Sequence, residues 1–172
     1  MDYRHCSLQG CVLLRALEGV QAMLYVDSAG LGTIGVGHRL TQSELTSGKI
    51  AIVNVITAQP EIIRYREGLK HGQIEALFVA DLEPVEACIN THVSVPLNQH
   101  QYDSLCCLVF NIGCGAFMGS TLLKVLNQGR YADVPIHMAR WVYSRGYVIS
   151  GLAKRRQREI ALWNAASTRT IT

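Results

Sequence analysis

The chain has 172 residues, which suffices for one domain, or for two small lobes sharing a core, without a disulfide or metal to hold it together. Hydrophobic residues make up 49% and charged residues 17%, a composition that excludes intrinsic disorder. The formal net charge of +3 is too small to indicate a nucleic-acid partner, although it would suit a polyanionic surface.

The beginning of the chain lacks the apolar stretch of a secretory signal, and no later window reaches the length of a membrane span. We therefore expect a protein that is made and held in the cytoplasm, with no stable membrane insertion.

The cysteine spacing favours packing over disulfides or a zinc site. None of the six cysteines forms a Cys-x-x-Cys pair. The adjacent Cys106 and Cys107 lie in an apolar helical run, where cysteine acts as a small hydrophobe.

The first predicted element is a short helix that places an acid at its end. Ser7 is a suitable N-cap, and glycine at position 19 is a usual stop residue. The pattern therefore predicts a helix that ends near Glu18.

A β-hairpin follows. Residues 23–26 and 33–36 are typical of strands, and residues 28–30 are typical of a turn. This hairpin would place Asp27 and Thr33 on either side of its turn.

The rest of the chain is predicted to be mainly helical. The signal over residues 44–54 is mixed, and Pro60 is suited to the first turn of a helix. Helical patterns cover residues 74–89 with a break at Pro84, and then 98–111, 121–128, 133–142 and 151 to about 165. A small lobe with a hairpin and a mainly helical lobe, facing each other across a cleft, would make the fold α+β.

The basic run at positions 154–158 is best interpreted as a solvated helix face, at least for most of its charges. An alternative is that Arg155 or Arg156 pairs with Glu18 or with another acid near the cleft.

Two acids have the properties that glycosidic hydrolysis requires: one carboxylic acid protonates the leaving oxygen, and a second carboxylate activates water or attacks the sugar. Glu18, next to Leu17 and Val20, would be partly desolvated and able to keep a proton. Asp27, beside a polar turn, would more readily stay ionised.

The spacing of these residues resembles a known active-site signature. Glu18 is followed nine positions later by Asp27, six further on by Thr33, and then by Gly35-Val36-Gly37-His38. The same order occurs in the phage-type lysozymes, glycoside hydrolase family 24. Further matches cover most of the chain except about residues 44–70: Asn98 to Leu105, Phe110 to Gly113, Gly119 to Leu123, and Gly151-Leu152-x-x-Arg155-Arg156-x-x-Glu159.

The resemblance implies a role for each motif residue. Glu18 would be the general acid, while Asp27 would position or activate water, or attack the sugar itself. Thr33 would hold the water through its hydroxyl. His38 would be a structural histidine packed near the site rather than a ligand or a base.

The resemblance also implies that Arg39, Phe110 and Ser120 contact the sugar chain. Phe110 has an alternative interpretation as buried core at a helix end.

The segment from Gly30 to Gly35 spells the Gly-x-Gly-x-x-Gly pattern of dinucleotide-binding proteins. That motif must open a helix, whereas residues 33–36 are predicted to continue as a strand. Turn geometry explains these glycines better.

The predicted protein is therefore a single catalytic domain over residues 1–172, with lobes of roughly 15–70 and 71–172 plus the N-terminal helix. The family resemblance implies hydrolysis of the β-1,4 bond between N-acetylmuramic acid and N-acetylglucosamine, without metal or cofactor. It also implies a monomer that lyses its host after release to the periplasm, a step for which phage lysis systems use a pore-forming holin.

Two other classes of function remain open at this point. The first is a wall-binding module that has lost its chemistry, although all three catalytic positions are unaltered. The second is a cationic membrane-disrupting protein, suggested by the basic last helix.

Overall fold

The computed structural model describes residues 3–27, 30–54, 57–144 and 146–165. The helices are α1 (Leu8–Glu18), α2 (Gln42–Ser47), α3 (His71–His92), α4 (Gln99–Ile112), α5 (Cys114–Met118), α6 (Thr121–Asn127), α7 (Val134–Met138) and α8 (Ser150–Trp163). The strands are β1 (Gln21–Val26), β2 (Gly32–Gly35), β3 (His38–Arg39), β4 (Ile50–Val53), β5 (Pro60–Ile63), β6 (Tyr143–Ser144) and β7 (Tyr147–Val148). Helices combined with small antiparallel sheets make the predicted α+β class.

The chain divides into two compact units. One consists of residues 15–84, which we call the sheet unit, and the other of residues 1–14 and 85–172, which we call the helical unit. Strands β1 to β5 belong to the sheet unit, whereas α4 to α8 belong to the helical unit. The single domain with the lobe boundary described above stays a prediction.

Helix α1 begins and ends as predicted. The Ser7 hydroxyl accepts a hydrogen bond from the Gly10 amide at 3.3 Å, which satisfies one of the donors at the helix start. Gly19 has a φ of 78°, and its amide donates to the Arg15 carbonyl at 2.9 Å. This left-handed conformation, which favours glycine, ends the helix directly after Glu18.

The predicted hairpin is the first part of a three-stranded antiparallel sheet in the order β1-β2-β3. Tyr25 lies opposite Thr33, and Thr33 lies opposite Arg39. Strand β2 ends at Gly35, one residue before the predicted end, because the chain turns at Val36 towards β3. Of the predicted turn over residues 28–30, the first two lie outside the described residues.

The helix predicted to start at Pro60 is wrong. Pro60 begins β5, which pairs antiparallel with β4 so that Pro60 lies opposite Val53. Proline is tolerated as the first residue of a strand. Burial alternates along β4, where Ile50 and Ile52 are buried and the residues after each are exposed, and this two-residue period outweighs the proline signal.

The break predicted at Pro84 is also wrong, because α3 continues through it to His92. Pro84 is exposed, while Ile74, Leu77 and Phe78 on the same helix are buried in the core. Packing of the apolar side stabilises the helix despite the hydrogen bond that proline cannot donate.

Helix α7, in contrast, ends at Met138, well before the predicted residue 142.

The cysteine prediction is wrong for one pair. Cys88 in α3 and Cys114 at the start of α5 form a disulfide, with their Cα atoms 6.1 Å apart. Their separation of 26 positions gave no local pattern that could predict it. Cys106 and Cys107 are free thiols and fully buried in α4, as the packing interpretation predicts.

The solvated interpretation of the basic run is wrong for two of its arginines. Arg155 and Arg156 are buried in α8, where they form ion pairs with Glu159 at 2.9 and 3.0 Å. Lys154 and Arg158 are exposed, as predicted. None of the helices in the described segments is long and apolar enough to cross a membrane.

Candidate active site

Glu18 is positioned by the last turn of α1, which is attached to α3 within the sheet unit. Arg15 forms an ion pair with Glu75, and its guanidinium carbon lies 4.4 Å from the centroid of the Phe78 ring. A cation over an aromatic face contributes about 0.5–2 kcal/mol, depending on exposure. These contacts fix the helix end that carries Glu18.

The carboxyl group of Glu18 lies directly against the backbone of Gly37. A Cβ atom built on Gly37 would come within 2.8 Å of Glu18 Oε2, closer than real Cβ atoms approach other atoms. The φ of 72° at Gly37 also favours glycine. Glu18 is half-buried and its Oε1 atom is buried. Because the Glu18 carboxyl lies where a Cβ atom of residue 37 would be, the turn between β2 and β3 needs a residue without a side chain at this position.

Asp27 follows β1, and both its carboxylate oxygens are in contact with donors. Oδ1 accepts a hydrogen bond from the Leu31 amide at 2.9 Å, and Oδ2 lies 3.3 Å from Arg39 Nε. The Asp27 side chain is only 15% exposed. A backbone donor and a guanidinium both favour the ionised carboxylate.

Thr33, in the central strand β2, is 2% exposed. Its hydroxyl donates to the Leu31 carbonyl at 3.1 Å. A hydroxyl that donates one bond retains lone pairs with which it can accept another. Thr33 is therefore fixed in orientation and still has the capacity to accept a hydrogen bond from a water molecule.

Tyr25 is a site residue for which the motifs predict no role. Burial raises the pKa of its phenol, as do the negative charges of Glu18 and Asp27, while the positive charge of Arg39 opposes the shift. Tyr25 thus lies within electrostatic reach of both acids. Its position opposite Thr33 follows from the register of β1 and β2, which the sequence does not specify.

His38 lies between two carboxylates of the same unit. Its Nδ1 atom is 2.9 Å from Asp81, and its Nε2 atom is 3.4 Å from Glu44. Burial alone would lower the pKa of His38, but the hydrogen bond and charge of Asp81, together with Glu44, raise it above the ordinary value.

Glu44 is held by a capping box at the start of α2. The Thr41 side chain accepts from the Glu44 amide, while the Glu44 carboxylate accepts from the Thr41 amide at 2.7 Å. Burial alone would raise the pKa of Glu44, but the Thr41 hydrogen bonds and the His38 contacts lower it. The Thr-x-x-Glu spacing is a recognised capping signal, so the sequence contained a signal for this element.

Two of the predicted sugar-contacting residues belong to the helical unit. Phe110 is half-buried near the end of α4. Ser120 is the N-cap of α6: it accepts from the Leu123 amide at 3.1 Å and donates to the Phe117 carbonyl at 2.6 Å. Ser120 also lines a surface pocket of about 370 Å³ together with Arg140 and Trp141.

The glycine-rich segment does not form a dinucleotide-binding turn. Gly32–Gly35 is strand β2, and a strand, not a helix, follows it. The sheet unit contains Glu18 at a helix end, Asp27 directly after β1, Thr33 on β2, and Arg39 next to Asp27. Two acids in different surroundings can divide proton donation and carboxylate chemistry between them.

Comparisons with known proteins identify the family of the chain. A family model described as phage lysozyme matches residues 15–159. The chain is 38% identical over 166 residues to the endolysin of Acyrthosiphon pisum secondary endosymbiont phage 1, which covers 94% of this chain and 99% of that relative. It is 39% identical over 148 residues to a SAR-endolysin of Escherichia phage Mu, over 86% of this chain and 74% of the relative.

The fold is also similar to a solved structure. A mutant of P22 lysozyme superposes with a TM-score of 0.71 at 34% identity, over 94% of this chain and 99% of that chain. These matches confirm both the resemblance and the lysozyme-like α+β fold that the motifs predict.

Proposed function

The chain belongs to the phage lysozyme family, and on this premise we propose that it hydrolyses the β-1,4 bond between N-acetylmuramic acid and N-acetylglucosamine in peptidoglycan. The observation that carries this proposal is the close approach of the Glu18 carboxyl to Gly37. The same unit contains the Asp27 carboxylate, which is contacted by the Leu31 amide and by Arg39. Cleavage of the wall lyses the host cell.

Glu18 is the general acid in this mechanism. Its carboxyl protonates the glycosidic oxygen as the bond to the anomeric carbon breaks. The buried Oε1 atom and the close approach of Gly37 support this role, because they hold the carboxyl in one position from which it can transfer its proton.

Asp27 stays ionised, and its carboxylate either activates the attacking water or itself attacks the anomeric carbon. The Leu31 amide and Arg39 support the charged form. Thr33 orients the water, which donates a hydrogen bond to its oxygen. His38 positions the turn that contains Gly37.

Arg39, Phe110 and Ser120 bind the sugar chain. Arg39 is 64% exposed, so its guanidinium retains donors for sugar hydroxyls while Nε lies near Asp27. An aromatic ring such as Phe110 stacks on sugar faces. Ser120 lines a pocket with the aromatic side chain of Trp141.

The test compares wild type with Glu18→Gln on isolated cell walls. The substitution removes the acid while keeping the shape, and we expect the rate to fall by about 100- to 10,000-fold. Mass analysis of wild-type products should find reducing muramic ends. Glu83→Gln, at an exposed position of the same unit, is the matched control and should keep the wild-type rate. Full activity of Glu18→Gln would contradict the proposal.

A second pair of variants tests the role of Thr33. Thr33→Val keeps the shape but removes the hydroxyl, whereas Thr33→Ser keeps the hydroxyl and loses a methyl group. We expect a much lower kcat in Thr33→Val and a rate near wild type in Thr33→Ser. Equal rates in both variants, with similar melting temperatures, would remove Thr33 from the mechanism.

The protein acts as a monomer and reaches the wall from the host cytoplasm through a pore-forming holin. The support is that the substrate lies outside the inner membrane. Expression with and without a holin should give lysis only with it, and light scattering should give the mass of one chain. Prompt lysis without a holin would contradict this route.

A further inference from the structure

Cys88, His92 and Cys114 form a cluster in the helical unit that has no part in the proposed hydrolysis. Their ligand atoms all lie within 4.8 Å of one another. Within residues 3–27, 30–54, 57–144 and 146–165, this is the one group of three or more Cys, His, Asp or Glu side chains close enough to hold a metal ion. Cys88 is buried, and the other two are half-buried.

The backbone brings these side chains together from two helices. Cys88 and His92 are four residues apart on α3, so they lie on the same face one turn apart. Cys114 begins α5, with its Cα atom 6.1 Å from that of Cys88. The cluster is therefore defined by the packing of helices and does not depend on a mobile loop.

The ring of His92 makes a hydrogen bond of the kind that metal-binding histidines make. Its Nδ1 atom lies 2.8 Å from the carbonyl oxygen of Cys88. A carbonyl can only accept, so Nδ1 carries the proton and the lone pair of the neutral ring is on Nε2. Metal-bound histidines are fixed in just this manner by a hydrogen bond from their other nitrogen.

We infer that Cys88, Cys114 and His92 bind a thiophilic divalent cation such as Zn²⁺ when the disulfide is reduced. Zn–S bonds of about 2.3 Å in a tetrahedral site place two sulfurs about 3.8 Å apart, which rotation of the side chains can provide. Two thiolates and one imidazole leave the fourth position for water. The site also lies at the C-terminal end of α3, where the helix dipole favours a cation.

The metal site and the disulfide exclude each other, because both use the sulfurs of Cys88 and Cys114. A low-molecular-weight disulfide converts the metal site to the protein disulfide. The two thiolates give two electrons to this oxidant, the Cys88–Cys114 bond forms, and the S–S bond of the oxidant breaks. Its sulfurs leave as thiolates that take up two protons, and the cation is released. A dithiol reductant reverses these steps, so α3 and α5 are joined by metal in reducing solution and by the disulfide in oxidising solution.

The experiment measures Zn²⁺ binding by the full chain with a competing chromophoric chelator. The protein is first reduced with a phosphine, which adds no competing thiol. We expect one equivalent of Zn²⁺ bound by reduced wild type and none by the disulfide form. His92→Ala should weaken binding at least about 100-fold, in line with the loss of a ligand. Cys11→Ser, which removes a half-buried thiol elsewhere, is the matched control and should bind as wild type does.

A second measurement separates metal ligation from folding. Oxidised His92→Ala should have the same melting temperature as oxidised wild type, while Zn²⁺ should raise the melting temperature of reduced wild type only. Co²⁺ should give a thiolate charge-transfer band in reduced wild type that disappears in His92→Ala. Unchanged binding by His92→Ala, equal binding by the disulfide form, or loss of binding in Cys11→Ser would each overturn the inference. These readouts do not depend on wall hydrolysis.

Discussion

The chain uses contacts between arginine and acids in two regions, and the two uses differ. In the helical unit, Glu159 is fully buried and receives Arg155 and Arg156 at 2.9 and 3.0 Å. In the sheet unit, Arg39 contacts Asp27 at 3.3 Å, and the Arg39 side chain is 64% exposed. The first pairing neutralises charges that water cannot reach, whereas the second leaves the arginine accessible to a substrate.

The buried cluster has further contacts that join two helices. Arg155 donates to the Cys107 carbonyl at 3.0 Å, and Arg156 donates to the Asn111 side chain at 2.6 Å. Both acceptors lie on α4, so the cluster joins α8 to α4. The charge of a motif residue therefore does not by itself reveal its role. Burial separates a charge that supports the fold from one available for chemistry.

The largest expected effect on stability comes from Glu159→Gln. This change leaves two buried guanidinium groups without their carboxylate, which typically costs about 3–5 kcal/mol. Urea denaturation should show this loss in the free energy of unfolding, while the folded fraction keeps its wall-cleaving rate. Glu83→Gln should change stability little, because Glu83 is exposed. A loss below about 1 kcal/mol would mean that the buried cluster is no more important than a surface pair.

Gly37→Ala should affect the site more than the fold. An alanine at a φ of 72° costs about 1–2 kcal/mol, and its Cβ would displace the Glu18 carboxyl. A displacement of the catalytic carboxyl by about 1 Å reduces the rate by about 100-fold.

Gly129→Ala is the matched control, since Gly129 has a φ of 75° and no atom within 4 Å of the added Cβ. It should show the same loss of stability with the wild-type rate. Equal rates in the two variants would separate Gly37 from the function of Glu18.

The raised pKa of His38 predicts a pH-dependent contribution to the stability of the sheet unit. A histidine whose pKa is raised on folding stabilises fully below its unfolded pKa of about 6.5, and loses this effect as the pH rises through the folded pKa. The excess of the wild-type melting temperature over that of Asp81→Asn should therefore shrink with rising pH above 6.5.

Asp133→Asn provides the control for this titration. Asp133 pairs with Arg130, whose charge does not change in this pH range. The difference in melting temperature between wild type and Asp133→Asn should therefore stay constant as the pH changes. An excess for Asp81→Asn that grew with pH would contradict the contacts of His38.

The smallest effect is expected for Arg39→Ala. Because this arginine is largely exposed, its pairing with Asp27 should contribute less than about 1 kcal/mol to stability. The rate should fall several-fold, and high salt should reduce the difference from wild type by screening. A stability loss as large as that of Glu159→Gln would remove the distinction between the two regions.

The sequence predicted those elements whose signals are local. Ser7 and Gly19 define the ends of α1, and two short strand-like runs separated by turn glycines indicate the hairpin. Pro60 and Pro84 misled the prediction, because a proline signal is also local but depends on its surroundings. Pairing with β4 decided the first case, and the buried side of α3 decided the second.

The sequence by itself determined the order of the acid, the second acid and the threonine, and thus the family. Tertiary structure decided which atoms meet: Glu18 against Gly37, His38 between Asp81 and Glu44, and Cys88 with Cys114. It also decided that Arg155 and Arg156 are buried while Arg39 is exposed. The physical reason is that motifs record spacing along the chain, whereas burial and contact depend on residues that are distant in sequence.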